Sequence, residues 1–230
     1  MADISPQTIE LFDKNASKSV PHMDRTISEG MYLRGNLFVA ALVQRCRTGA
    51  SVLDYGCGPG RISRMVARMG YAVHGMDPAP ERIREAQRQD LDGLDVTFDV
   101  LHDFGGSLPS ETYGAVICSS VIEFVEEPEV LLGNLHRTLT PGGVLLLSFA
   151  NRLSLYRAYA ECRFGRTAAH FSVQKNVWTP RQCRRALRAA GFGELTAAGY
   201  FEPQFLGKAD QRPWWSGCLV GTLGLVVATR

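Results

Sequence analysis

The sequence predicts an α/β fold, a parallel β-sheet with helices on both of its faces. Three observations carry this. Short, nearly continuous apolar runs, SVLDY (51–55), YGAVICSS (113–120) and VLLLSFA (144–150), read as strands buried on both sides. Segments with helical spacing of apolar residues separate them. The order between residues 51 and 150, β-α-β-α-β-β-α-β, is that of a parallel sheet with helical crossovers.

Element by element, GMYLRGNLFVAALVQRC (30–46) is a candidate helix with Leu33, Leu37, Ala40, Ala41 and Val43 near one side. It is expected to cap the sheet's edge. SVLDY is the first strand. In RISRMVARMG, Ile62, Met65, Val66 and Met69 fall at i, i+3, i+4 and i+7, and Gly70 stops the helix. AVHGMD is the second strand, and Pro80 opens the helix ERIREAQRQ. VTFDVL alternates as a strand does, and YGAVICSS is the fourth. Pro128 opens a helix through Leu131, Leu135 and Leu139, which TPGG breaks before VLLLSFA. A helix follows Asn151, then the polar segment FGRTAAHFSVQKN. WTPRQCRRALRAAGF has a proline start and a glycine stop. ELTAAGYF and TLGLVVAT are final strands, joined by a long loop containing Trp214 and Trp215. No linker interrupts the chain, so residues 1–230 read as one domain: a cap (1–45), a ligand-binding core (50–150), and a closing part (151–230).

The chain has 230 residues, 45% of them hydrophobic, enough for an ample core. A net charge of +2 with scattered arginines argues against a dedicated nucleic-acid binder. The six cysteines form no C-x-x-C pair and no metal-ligand spacing, which fits a reducing, cytoplasmic setting. MADISPQTIELFDKN has no apolar core of a signal peptide, and CLVGTLGLVVATR is too short and glycine-rich to span a bilayer. The oligomeric state stays open, a homodimer included.

The most informative stretch is VLDYGCGPGRISRMV (52–66). Gly56, Gly58 and Gly60 stand at every second position directly behind Asp54. In a parallel sheet, ligands bind at the carboxyl ends of the strands beside the first one. A glycine there lets the backbone turn tightly and lets a ligand reach its N–H groups. A helix starting near Arg61 points further N–H groups into the same space. A dinucleotide loop, G-x-G-x-x-G, would place its last glycine one residue later. Asp54 would also repel a pyrophosphate. It suits a ligand with an ammonium group, or it orders the loop through hydrogen bonds.

VLDYGCGPG resembles motif I of the class I S-adenosylmethionine-dependent methyltransferases. The resemblance runs over about residues 30–200 and includes Asp77 in HGMDPAP, VIEFVEEPEVLLGNLHRTLTPGGVLLLS, and WTPRQCRRALRAAGF. SFANRLS and YLRGNLFVAAL are most similar to the branch containing the ubiquinone-biosynthesis O-methyltransferases. The resemblance implies a Rossmann-like, seven-stranded, mostly parallel sheet flanked by helices, its last strand antiparallel, with an N-terminal helical lid.

It also implies S-adenosyl-L-methionine as cofactor, held by Asp54, Gly56, Cys57, Gly58 and Gly60. Asp77 accepts hydrogen bonds from the ribose hydroxyls, since a carboxylate is an acceptor-only group, and Pro78 follows it. Asp103 matches the acid that meets the adenine amino group, with His102 as the alternative, and Phe104 flanks the ring. Ser119 lies at the end of strand four, where the chain lines the cofactor. Arg34 stands where the branch places an arginine against the cofactor's carboxylate, a bidentate match.

Methyl transfer from a sulfonium is an in-line displacement with a neutral leaving group, so alignment supplies much of the acceleration. An oxygen acceptor also benefits from a base. His170 in TAAHFSV is the candidate catalytic base, a neutral imidazole suited to the task near pH 7. The branch reads LEHV after strand four, and this chain reads IEFV: Phe124 replaces a histidine, and Ser120 stands where an acid is common. No metal is therefore expected, and a quinone-precursor substrate is disfavoured. Glu123, Tyr32, Arg152 and Tyr156 are candidate acceptor contacts. The expected partner is a small-molecule acceptor, methylated on oxygen. A nitrogen or carbon acceptor, or cofactor binding without turnover, are the alternatives.

Overall fold

The computed structural model describes residues 4–14, 25–89, 91–102, 108–164, 173–201, 219 and 221–230. Side chains are described for these except 14, 25–33, 160, 163, 164 and 197–201. Seven strands form one sheet in the order β3-β2-β1-β4-β5-β7-β6. They are β1 (Ser51–Tyr55), β2 (Ala72–Asp77), β3 (Val96–Val100), β4 (Tyr113–Cys118), β5 (Leu139–Ala150), β6 (Leu195–Phe201) and β7 (Leu223–Thr229). β1 to β5 pair in parallel, and β7 runs antiparallel to both β5 and β6. The fold class expected from the sequence is the one observed.

Successive strand residues face opposite sides, so each strand feeds two cores. Val52, Ala115, Ile117, Val144 and Leu146 face one layer, made by α2 (Arg25–Arg45), α3 (Arg61–Ala67) and α4 (Pro80–Arg88). Leu53, Tyr55, Val116, Cys118, Leu145 and Leu147 face the other, made by α5 (Pro128–Thr138) and α7 (Pro180–Ala189). α6 (Leu155–Phe164) follows β5, and α1 (Pro6–Lys14) precedes α2. α7 begins on a capping box: Thr179 accepts from Gln182 N–H at 3.3 Å, and Gln182 Oε1 accepts from Thr179 N–H at 2.9 Å. Among the described residues, no helix is long and apolar enough to cross a membrane.

Three local expectations change. α2 buries Phe38, Ala41 and Leu42, leaves Ala40 and Val43 exposed, and covers a face of the sheet rather than its edge. The piece that lies over the strand ends is α1. Ile4, before α1, bridges Val125 beyond β4, and Phe12 meets Phe124 edge-on at 5.1 Å. α3 turns Ser63, Val66 and Ala67 inward and leaves Met69 exposed. A serine and an alanine let this helix approach closely, and Ser63 has a partner beneath it. β5 begins at Leu139, five residues before VLLLSFA. Leu139 pairs with Tyr113, and the register then shifts before Ala115 meets Val144. The PGG turn is thus absorbed as an irregularity within the strand rather than breaking the chain before it.

Candidate functional site

The loop after β1 is built first by its amides. Gly56 and Cys57 N–H both donate to Met76 O, at 2.7 and 3.0 Å, which carries the β1–β2 pairing into the turn. Gly56, Gly58 and Gly60 all have positive φ, at 77°, 53° and 70°. Their bareness has two causes. A Cβ on Gly56 would sit 2.2 Å from Val121, and one on Gly60 would sit 2.4 Å from the Phe98 ring. Those glycines admit the protein's own side chains. At Gly58 the nearest atom is the flexible tip of Arg82, at 3.1 Å. Gly58 is the position left for a ligand.

Two carboxylates flank this loop. Asp54 is 1% exposed, and its Oδ2 accepts from the Ser63 hydroxyl at 2.5 Å. Burial lifts its pKa to about 6; the Ser63 hydrogen bonds pull it down, and nearby Asp77 raises it further. Asp54 therefore ties α3 to β1 through a hydroxyl. Asp77 ends β2, where Oδ2 accepts from Gly58 N–H at 2.8 Å and Oδ1 from Ala79 N–H at 2.9 Å. It pins the glycine loop to the start of α4. Each oxygen retains acceptor capacity. Burial raises its pKa, opposed by those hydrogen bonds and by Arg82.

α1 closes over this corner. Arg82 Nε donates to Phe12 O at 3.3 Å, and its guanidinium lies 4.7 Å from the Phe12 ring centre. Glu81 N–H donates to Asp13 Oδ1 at 3.1 Å.

A second cluster gathers where β4 ends. Ser120 has a positive φ of 55°; its N–H donates to Ser148 Oγ at 2.8 Å, and its own Oγ accepts from Arg34 Nη1 at 2.9 Å. The turn Ile122–Phe124 follows and carries Glu123. Glu123 is 1% exposed and faces Arg34 and Arg157. Burial pushes its carboxyl up to about 7, against the lowering influence of both arginines and of a hydrogen bond from Ser120. Arg157 on α6 is buried and pairs with Glu161 at 2.8 Å, an i,i+4 pair. Residues 175 and 176 fasten the turn: Lys175 and Asn176 N–H donate to Glu123 O, and Asn176 Nδ2 donates to Ile122 O and Val125 O.

The structure brings Asp54, Gly56, Cys57, Gly58, Gly60, Asp77 and Pro78 together around the loop after β1, and it gathers Arg34, Ser119 and Glu123 at the end of β4. Arg34 points to Ser120 and Glu123. Arg152 is exposed beyond β5, and Tyr156 is half-buried on α6. His170, Asp103, Phe104 and the side chain of Tyr32 lie outside the described residues. Among the described residues, no three His, Cys, Asp or Glu side chains are grouped to hold a metal ion. A separate cavity of about 580 Å³ lies between α4 and β3, lined by Ile83, Arg84, Gln87, Phe98, Asp99 and His102, and it includes no glycine of the loop. Sequence reasoning missed Ser63, Arg82 and Arg157. Only Arg157 left a signal, its i,i+4 spacing from Glu161.

Comparisons with known proteins agree with this architecture. A family model described as a methyltransferase domain matches residues 31–196. A ubiquinone biosynthesis O-methyltransferase of Xanthomonas campestris pv. campestris (strain B100) is 36% identical over 118 residues, 50% of this chain and 48% of that protein. The mitochondrial protein of that name from Schizosaccharomyces pombe is also 36% identical over 118 residues, 50% of this chain and 43% of its own length. The chain thus matches about half the length of these curated relatives. Among solved structures, magnesium protoporphyrin IX methyltransferase from Synechocystis PCC 6803, with bound SAH, superposes with a TM-score of 0.72 at 21% identity, covering 97% of this chain and 98% of that one. A possible histamine N-methyltransferase from Thermotoga maritima gives a TM-score of 0.66 at 16% identity, covering 96% and 98%. Those two likenesses speak for the fold, and the family match speaks for descent: the chain belongs to the methyltransferase domain family, among its class I, S-adenosylmethionine-dependent members.

Proposed function

We propose that this protein transfers the methyl group of S-adenosyl-L-methionine to an oxygen of a small molecule, a phenol or an alcohol. One observation carries the cofactor reading: Gly58 is the loop glycine whose missing side chain meets no packed ring or branched side chain, and it is bonded directly to Asp77. The residues fit the nucleoside. Asp77 has acceptor capacity left for hydroxyl donors after taking two amides. The choice of oxygen rests on relatives named as O-methyltransferases, 36% identical over half of this chain.

When bound, S-adenosyl-L-methionine supplies an electrophilic methyl group on a sulfonium that departs as a neutral thioether. The chain's own contribution is placement. Gly58 and Asp77 hold the nucleoside, and Asp54 with Ser63 fixes the loop against α3. Arg34 and Glu123 lie where the acceptor is received, with Tyr156 on the neighbouring α6.

The test has two parts. S-adenosyl-L-methionine raises the unfolding temperature because it binds the native state, whereas a nicotinamide dinucleotide leaves it unchanged. Tritiated methyl transfer into a pool of small hydroxylated metabolites then yields a labelled product stable to the conditions that cleave esters. A thermal response without any labelled product would remove catalysis from the reading and leave binding.

A further inference from the structure

We infer that Glu123 binds the acceptor's hydroxyl and takes its proton as the methyl group is transferred. This rests on the methyltransferase reading above and assigns to Glu123 the proton that sequence analysis placed with His170.

Glu123 is 1% exposed, and its Oε2 is closed from water with no hydrogen-bond partner. Most buried polar groups are paired, and an orphan in a native structure calls for a reason. The surroundings show that this one is not a careless fit. The turn carrying Glu123 is held by hydrogen bonds from Lys175 N–H at 2.7 Å and Asn176 N–H at 3.1 Å to the Glu123 carbonyl. Two more run from Asn176 Nδ2, at 2.9 Å to Ile122 O and 2.7 Å to Val125 O. The backbone is over-determined while the side chain keeps an oxygen free.

Arg34 and Arg157 lie close enough to lower the Glu123 pKa, and each also has a partner of its own. Arg34 donates to Ser120 Oγ, and Arg157 pairs with Glu161. Ser119 Oγ, at the end of β4, and Gln174 Oε1, beside the fastening residues, are also buried without partners. An ionised carboxylate oxygen accepts only, so the complement of Glu123 Oε2 is a group that donates a hydrogen bond, which a phenol or an alcohol does. Such a ligand must displace part of the cover over Oε2, and the long side chains of Arg34 and Arg157 border it.

The described titratable or charged groups facing Glu123 are Arg34 from α2, Arg157 from α6 and Cys118 from β4. The Cys118 thiol is pushed up by burial and stays neutral. With the carboxyl lifted to about 7, the group exchanges a proton readily near neutrality, as a general base requires. In the step, the acceptor oxygen bonds to the methyl carbon, and the carbon–sulfur bond breaks with its electron pair going to sulfur. The hydroxyl proton passes to Glu123 Oε2 and is later lost to water.

The probe is catechol, whose hydroxyls ionise well above neutrality and whose ultraviolet absorbance reports ionisation. It is titrated into the full chain saturated with S-adenosylhomocysteine, for wild type, Glu123→Gln and Glu123→Asp. We expect Glu123→Gln to weaken probe binding about tenfold or more at about pH 8, and Glu123→Asp to restore part of it. S-adenosylhomocysteine affinity stays unchanged in all three, which reports that the variants fold. Tritiated methyl transfer to the same probe rises with pH through an inflection near 7 in wild type and in His170→Ala, and loses it in Glu123→Gln. Equal probe binding by Glu123→Gln, an inflection that survives that change, or no probe binding by cofactor-loaded wild type each overturns the inference. Failure of wild type to bind S-adenosylhomocysteine overturns instead the reading beneath it.

Discussion

Gly56, Gly58 and Gly60 look alike in sequence and differ in what presses on them. A methyl group at Gly56 or Gly60 would collide with Val121 or Phe98, and each residue also holds a positive φ. Gly56→Ala should therefore lower both stability and cofactor affinity. Gly58→Ala meets only the movable Arg82 tip, so its folding loss should be confined to backbone strain of about 1–2 kcal/mol. Cofactor binding should suffer more, and calorimetry beside urea unfolding separates the two losses. Ser63→Ala leaves a buried carboxylate oxygen of Asp54 without its donor, at a cost of about 1–3 kcal/mol. Equal stability of Ser63→Ala and wild type would mean that Asp54 finds another donor. The aspartate could be read from the sequence because its place before the glycines is distinctive. Ser63 could not, because nothing local marks a serine in the third position of a helix as the partner of a residue nine places earlier.

At the scale of the element, α2 packs on a face of the sheet, and α1 takes the covering part expected of α2. Periodicity located α2 but chose the wrong face, because several apolar residues in LFVAALV allow more than one stripe. The burial of Phe38 and Leu42 decided it. Phe38→Ala should cost about 3–5 kcal/mol, as for other large core deletions, and chemical denaturation measures this directly. α1 was not singled out, since nine residues with few apolar positions carry little signal. Its Phe12 holds Arg82 by a carbonyl and a ring above Gly58. Phe12→Ala should speed exchange of the Gly58 amide and hasten cofactor dissociation, with little change in global stability. Hydrogen exchange and stopped-flow displacement read these two effects separately. α7, by contrast, was legible end to end, because WTPRQ encodes its capping box and G its stop.

For the whole molecule, the buried acids set a pH dependence. Asp54 lies near 6 and Glu123 near 7 in the folded chain, both above ordinary carboxyl values. The folded state thus favours their neutral forms. Their stabilisation is complete below the unfolded values near 4 and is lost as pH rises through about 6 and 7. The unliganded protein should lose on the order of 3 kcal/mol per group between acid and neutral pH. Asp54→Asn should flatten the lower part of that curve and Glu123→Gln the upper part, as followed by calorimetric unfolding. An unchanged slope in both variants would place the titrating groups elsewhere. The sheet itself was legible nearly throughout, because its strands are continuous apolar runs between strong turn residues. The pairings that make the site are not: Arg34 with Ser120, Arg82 with Gly58 and Asn176 with Ile122 join residues far apart in sequence, and only the folded chain brings them together.

The place of β7 has a further consequence. β6 is synthesised first, yet among the described residues it joins the sheet only through β7, which slots between it and β5. Until residues 223–229 arrive, the long apolar margin of β5 stays open and β6 has nothing to join. Assembly of this half of the sheet must therefore wait for the final strand and proceed through distant contacts, a slow route. A nascent chain stalled before that point would present a sticky ribbon to its neighbours, and a chaperone holding that ribbon would raise the yield of native protein.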